Sequence, residues 1–252
     1  MHLCRYMNLG NFMQRIYLLL FCLSGFVSFA QVMQTVEKDT IELDSVPAVA
    51  DPKYREDQFY ASVAYALMQG NPDGYKQYSF STSLSTGFLR DMPLNKRRNH
   101  SIALGFGYTY NNIKHNLAVT EKGGVNSYNV IDKDQYKLNK LVLHYLDVPL
   151  EFRWRNSDSI SHKFWRVYLG AKASYMFYNK AQLEPEEGGG TVKIRKDPNI
   201  NKFVYSTYIS AGWNTWNFYV SYGITPIYDT AMIDGKRLKM SPIKLGLIFY
   251  IL

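Results

Sequence analysis

Tyr78-Ser-Phe-Ser-Thr-Ser-Leu-Ser-Thr-Gly-Phe88 sets bulk against small side chains without a break: Tyr78, Phe80, Thr82, Leu84, Thr86 and Phe88 on one phase, four serines and Gly87 on the other. Ile102–Tyr110 repeats the pattern, with Ile102, Leu104, Phe106, Tyr108 and Tyr110 alternating with Ala103, Gly105, Gly107 and Thr109. A period of two marks a β-strand whose two faces meet different surroundings. A water-soluble strand would cover its outer face with Lys, Glu and Thr. Here one face is aromatic and β-branched, and the other is small and nearly free of charge. That pairing fits a strand of a transmembrane barrel, with bulk toward lipid and small polar residues toward a narrow lumen.

The composition agrees. The chain carries 21 Tyr and 14 Phe among 252 residues, an excess typical of strands and membrane-interface girdles. Its charge of +8 is spread over turns and loops, with no basic helix or aromatic-basic ribbon, so nucleic acid is not an expected partner. Arg15 followed by the apolar run Ile16–Ala30 reads as a secretory signal cleaved after Ala30, with Met13 a plausible start. Both cysteines, Cys4 and Cys22, lie in that removed segment, so the mature chain has no thiol chemistry. No later apolar run is long enough for a membrane helix, and a closed barrel is the other way to satisfy every backbone group in lipid.

The domain plan is therefore a signal peptide over 1–30, an acidic periplasmic lead-in over 31–57 and a barrel over 58–252. Strands are expected at 59–67, 78–88, 102–110, 140–155, 165–177, 205–213, 216–224 and 243–252. Connections 90–99, 156–163 and 214–215 are short on average; 111–135, 181–201 and 229–240 are longer and read as loops. Short periplasmic turns and long outer loops around an even strand number give an all-β fold, an eight-stranded antiparallel up-and-down transmembrane barrel. Pro149 cannot donate within a ladder, which predicts a bulge or a lumen water there. Trp165, Trp213, Trp216 and the nearby Trp154 read as an interfacial girdle.

The inward phase of the fourth and fifth strands carries Asp147, Glu151, Arg153, Arg166 and Lys172, and the last strand adds Lys244. A symmetric turn at 156–163 would set Asp147 opposite Lys172 and Glu151 diagonal to Arg166. These groups form either a polar path for solute or an ion-pair network plugging a lumen that eight strands leave filled by side chains. Catalysis finds no support: His2, His100, His115, His144 and His162 show no ligand spacing and no nucleophile pattern. Glu184, Glu186 and Glu187 read as a solvated acidic loop rather than a Ca²⁺ site. No cofactor and no metal are expected.

Tyr145-Leu-Asp-Val-Pro-Leu-Glu-Phe-Arg-Trp-Arg155, Lys163-Phe-Trp-Arg166 and Gly170-Ala-Lys resemble the PorT-like outer-membrane β-barrel proteins of Bacteroidota. Asp91–Arg98, Ala211–Tyr219 and the Ile248–Leu252 ending are similar to the same group. The resemblance implies an outer-membrane eight-stranded barrel, lipid as its surroundings, and secretion or envelope proteins as partners; a named member takes part in type IX protein secretion. It implies no catalytic residue. The readings left by the sequence are a structural or partner-binding barrel, a small pore or solute-binding barrel, and, last, an enzyme at the loop rim.

Overall fold

Alternation with bulk on one phase drives eight strands to close on themselves in the computed structural model, which describes residues 57–251 apart from 96, 157–164, 189 and 214–215. The secretory signal, Met13, both cysteines and all but the last residue of the lead-in lie outside the described residues, as do the hairpin 214–215 and most of the turn 156–163.

The strands are β1 (Gln58–Gln69), β2 (Thr82–Pro93), β3 (His100–Lys114), β4 (Leu117–Lys122), β5 (Val125–Val130), β6 (Tyr136–Arg155), β7 (Trp165–Pro185), β8 (Val192–Arg195), β9 (Phe203–Trp213), β10 (Trp216–Gly223), β11 (Met232–Ile233), β12 (Lys236–Arg237) and β13 (Ser241–Ile251). The barrel runs β6-β3-β2-β1-β13-β10-β9-β7, and β7 pairs back with β6 to close it. Every barrel neighbour is antiparallel, and the first and last strands form the seam from Phe59↔Ile251 to Gln69↔Ser241. Closure leaves no free edge, the condition for β-structure in hydrocarbon.

The outer wall is apolar. Val63 sits between Leu84 and Leu247 at mid-strand and is 41% exposed. Trp213 pairs with both Trp165 and Trp216 at the end where the barrel begins and stops, and all three are exposed, with Trp154 also outward. This is an interfacial ring of the kind the sequence pointed to. A cation at a lipid-facing midplane position costs about 2–4 kcal/mol. Val63→Lys is expected to lower refolding stability in lipid vesicles by that amount, and unchanged refolding would place this face in the lumen.

Several boundaries differ from the sequence reading. β2 starts at Thr82 rather than at 78 and runs on to Pro93, which shortens the turn after it to 94–99. The stretch 111–135 is not a plain loop: β3 continues to Lys114, and β4 and β5 form a hairpin around Gly123-Gly124. Both glycines have positive φ, 59° and 80°, the backbone a two-residue hairpin turn demands. Likewise β7 continues to Pro185, and β8 pairs with it inside the segment read as a second loop. No bulge occurs at Pro149, where the β6–β7 register is regular; the β3–β6 ladder instead omits the pairs at 105 and 106 and resumes unshifted at Gly107↔Asp147. The β6–β7 ladder is irregular higher up, between His144 and Tyr145, where β7 accommodates one extra residue, and again between Tyr136 and Leu138.

β6 and β7 have 20 and 21 residues, about twice the 9–11 that a tilted strand needs to cross a bilayer. Their far halves stand beyond the membrane as a support for the long connections. There Leu117, Val119, Tyr128, Leu141, Leu143, Ile194, Ile227, Tyr228, Leu238 and Met240 bury one another in a hydrophobic core. The long connections are thus a folded cap over one mouth of the barrel.

Candidate functional site

The lumen is organised in three layers. At the end of the barrel where its first strand begins and its last one stops, Asp91 of β2 is 1% exposed and sits between two guanidinium groups. Its Oδ1 lies 3.2 Å from Arg153 Nη1 and its Oδ2 2.9 Å from Arg155 Nη2, while Ser101 donates to Oδ1 at 2.6 Å. Arg153 Nε also meets Glu151 Oε2 at 2.8 Å. Glu151 Oε1 accepts from the Tyr208 and Tyr250 hydroxyls at 2.8 and 3.2 Å. The Arg153 guanidinium lies 4.8 Å from the Tyr168 ring centre, a cation–π contact.

Large lumen side chains fit because the strands facing them are small. A Cβ on Gly107 would collide with the Tyr60 hydroxyl, and one on Gly170 with the Tyr208 ring. Gly107 of β3, with Gly87 of β2, therefore makes room for Tyr60, and Gly170 of β7 makes room for Tyr208, so the lumen is packed rather than lined only by small residues. Tyr60, Tyr168, Tyr208, Tyr219 and Tyr250 form one buried cluster with Leu89 and Ile248.

The middle layer centres on Asp147, which is fully buried. Lys172 Nζ is 3.3 Å from its Oδ2, Ser174 donates to Oδ1 at 2.6 Å, and Thr109 donates to Oδ2. The backbone register is two residues away from the symmetric one. Asp147 faces Ser174, and Lys172 faces Pro149 and reaches Asp147 diagonally. Arg166 faces Arg155, four positions from Gly170, the residue opposite Glu151, so the expected Glu151–Arg166 diagonal does not form in the register. Lys244 is buried beside this group and lines a cavity of about 40 Å³ shared with Asp147, Lys172, Thr109, Asn111 and Ser221. That volume holds a few waters. A second lumen cavity of about 10 Å³ lies below it, beside Tyr60, Pro149 and Glu151.

The third layer is the apolar cap, pinned by polar groups. Asp197, 3% exposed, accepts from Tyr128 at 2.6 Å, Asn126 at 2.8 Å and the Asn199 amide at 3.0 Å, which ties the β4–β5 hairpin to the segment after β8. Burial first, and the Asp197 bond second, push the Tyr128 phenol above its usual range. His115 is buried under the cap, accepts from the Leu117 amide at 3.0 Å and is pushed down to about 4 by that burial. It is a neutral structural imidazole.

The structure thus brings Asp147, Lys172 and Lys244 together in the middle layer and Glu151 and Arg153 in the lower one; Arg166 lies at the lower end, 5.9 Å from the Tyr250 ring. Sequence reasoning missed Asp91 and Arg155, the other two charges of the lower network. Among the described residues, no group of His, Cys, Asp and Glu could hold a metal ion.

A closed antiparallel barrel with an apolar outer wall, an aromatic ring and a polar packed lumen defines an integral outer-membrane β-barrel protein. The model of the outer membrane protein beta-barrel domain family matches residues 29–229, and the chain belongs to that family. The protein is located in the outer membrane. Among solved structures it is similar to Ail, the attachment invasion locus protein of Yersinia pestis, in complex with the heparin analogue sucrose octasulfate. Identity is 13% and the TM-score 0.31, over 77% of this chain and 99% of that one. No curated protein gives a significant match.

Proposed function

We propose that the chain works as a plugged barrel that presents its folded cap and its periplasmic rim to other envelope proteins and does not pass solute. One observation carries this reading: the lumen is obstructed twice, by the buried Asp91–Arg153–Arg155–Glu151 network below and by the apolar core above. Desolvated ion pairs held by hydrogen bonds are poor conductors, because an ion moving through would have to break them without bulk water to replace them. The cap offers an open polar groove of about 410 Å³ between Asn71, Asp73, Asn129, Asp234 and Arg237. A groove of that kind suits a polar partner surface. Secretion machinery is the partner class that the sequence resemblance favours.

Planar-bilayer recording on the refolded protein tests the reading. The expected result is a flat baseline at voltages where porins open, and stepwise conductance would overturn it. The pore alternative rests on Lys244, a buried lysine in the lumen cavity for which no hydrogen bond or ion pair appears among the described residues. If steps appear, Lys244→Met should change their ion selectivity.

A further inference from the structure

The outer wall is not evenly charged. Opposite residues of an antiparallel pair point to the same side of the sheet. Along β3, β6 and β7 the outward phase rises to an aromatic row in which His144 is surrounded by Tyr108, Tyr110, Phe177 and Tyr178, with ring centres 5.2–5.9 Å away. Beyond that row the same face turns basic. Lys114 pairs with Lys140, Lys140 with Gln182, Lys180 with Arg195, and Gln182 with Lys193. Five cations therefore share one continuous patch over four adjacent strands, with Glu184 the carboxylate of that face, opposite Leu138.

None of the five charged heads has an ion pair or hydrogen bond to another described residue. The rest of the wall differs. Strands β1, β2, β9, β10 and β13 carry only Arg90 as an outward cation, and it sits at the opposite, periplasmic end beside Asp57. On the strand faces this charge is confined to β3, β6, β7 and β8; the exposed cations of the other side, Lys76, Lys236, Arg237 and Lys239, stand in the connections instead.

Height decides what the patch meets. The cations lie two to four residues beyond the aromatic row, roughly 7–13 Å along strands that rise about 3.3 Å per residue. Tilt shortens this to about 5–10 Å above the hydrocarbon edge, the depth of the headgroups. The long loops place this end outside the cell, where the outer leaflet of the outer membrane carries phosphorylated glycolipid. Lys and Arg stems can lie along the apolar wall while their heads reach the phosphates.

We propose that Lys114, Lys140, Lys180, Lys193 and Arg195 form a docking surface for the phosphate groups of outer-leaflet lipid A, fixing one side of the barrel to that lipid. The inference is independent of whether the lumen conducts. The test is native mass spectrometry of the refolded full chain in detergent with bisphosphorylated lipid A, with dephosphorylated lipid A, and with inorganic phosphate as competitor. Wild type should retain the bisphosphorylated form in clear preference, and millimolar phosphate should not displace it. Each cation near a charged surface contributes about a fivefold factor, so Lys114→Gln/Lys140→Gln/Lys180→Gln should weaken retention roughly a hundredfold. A control variant, Lys76→Gln/Lys236→Gln/Lys239→Gln, should retain it, and heat-modifiable gel mobility reports that both variants are folded. Equal retention of the two lipid forms by wild type overturns the proposal without any variant. So would full retention by the stripe variant, or binding to soluble dextran sulfate as tight as to lipid A.

Discussion

Asp91→Ala lowers the refolding stability of the barrel in lipid by about 3–5 kcal/mol, the usual cost of removing one partner from a buried ion pair. The carboxylate stands within 3.2 Å of both Arg153 and Arg155, and the side chains of all three are fully buried. Its loss removes the carboxylate that the two guanidinium groups share, while the Arg98 carbonyl stays 2.8 Å from Arg155 Nε and Glu151 stays on Arg153. Asp91→Asn keeps the shape and the acceptor for Ser101 but not the charge, so its loss should be smaller in packing and similar in electrostatics. Urea titration of the protein refolded into vesicles measures both variants. A change below about 1 kcal/mol for Asp91→Ala would mean that water screens these groups as it does on a surface, and the plug would then be an open polar passage.

The second large effect is expected in the middle layer, and there the structure changes the design of the experiment. Asp147→Ala should also cost about 3–5 kcal/mol, because it strips Lys172 of its ion pair and Thr109 and Ser174 of their acceptor. Adding Lys172→Met removes the orphaned cation and should recover much of that loss. It should not recover all of it, because Lys244 lines the same cavity and has lost the carboxylate beside it. Asp147→Ala/Lys172→Met/Lys244→Met should therefore be the most stable of the three. A thermodynamic cycle over these substitutions isolates the coupling. Purely additive losses would overturn the network, since independent, hydrated side chains have nothing to couple.

These experiments also bear on what the sequence can carry. Inward and outward assignment was legible, because lipid on one side and a packed lumen on the other penalise every side chain that breaks the period of two. Register was not. A shift by two residues leaves every face unchanged, so Asp147 could be placed in the lumen correctly and still be given the wrong opposite residue, Lys172 in place of Ser174. Asp91 was missed for a different reason. The strict contrast of bulk against small residues ends at Phe88, and only the inward phase of Ser83, Ser85 and Gly87, continued through Leu89, brings Asp91 into the lumen. Arg155 follows by the same count from Arg153.

The cap was the least legible part. Leu117, Ile194, Ile227 and Leu238 belong to three separate connections between barrel strands, each polar in average composition, and no local window shows that they converge. Only the β4–β5 hairpin left a mark, Gly123-Gly124 between two short apolar alternations. The inward tyrosines lie between these cases. Parity places Tyr145, Tyr208 and Tyr219 inside, but the small residues of β2 and β3 suggest a lumen without bulk, when Gly87 and Gly107 are the space the Tyr60 ring needs, as Gly170 of β7 is for Tyr208.

The folded cap also gives the protein a direction. Its apolar core draws on β3 and on every long connection, so it cannot form until all of them have reached the outer side. Once formed, it sits on the far halves of β6 and β7 and is too bulky to go back between strands that close over side chains. Insertion then has a last step that locks. Removal would have to begin with the opening of the cap, so the rate at which the barrel leaves the bilayer is expected to follow how often Asp197 and the core it ties together let go. The outer loops act as the head of a rivet, and the residence time of the protein in the membrane is decided outside the membrane.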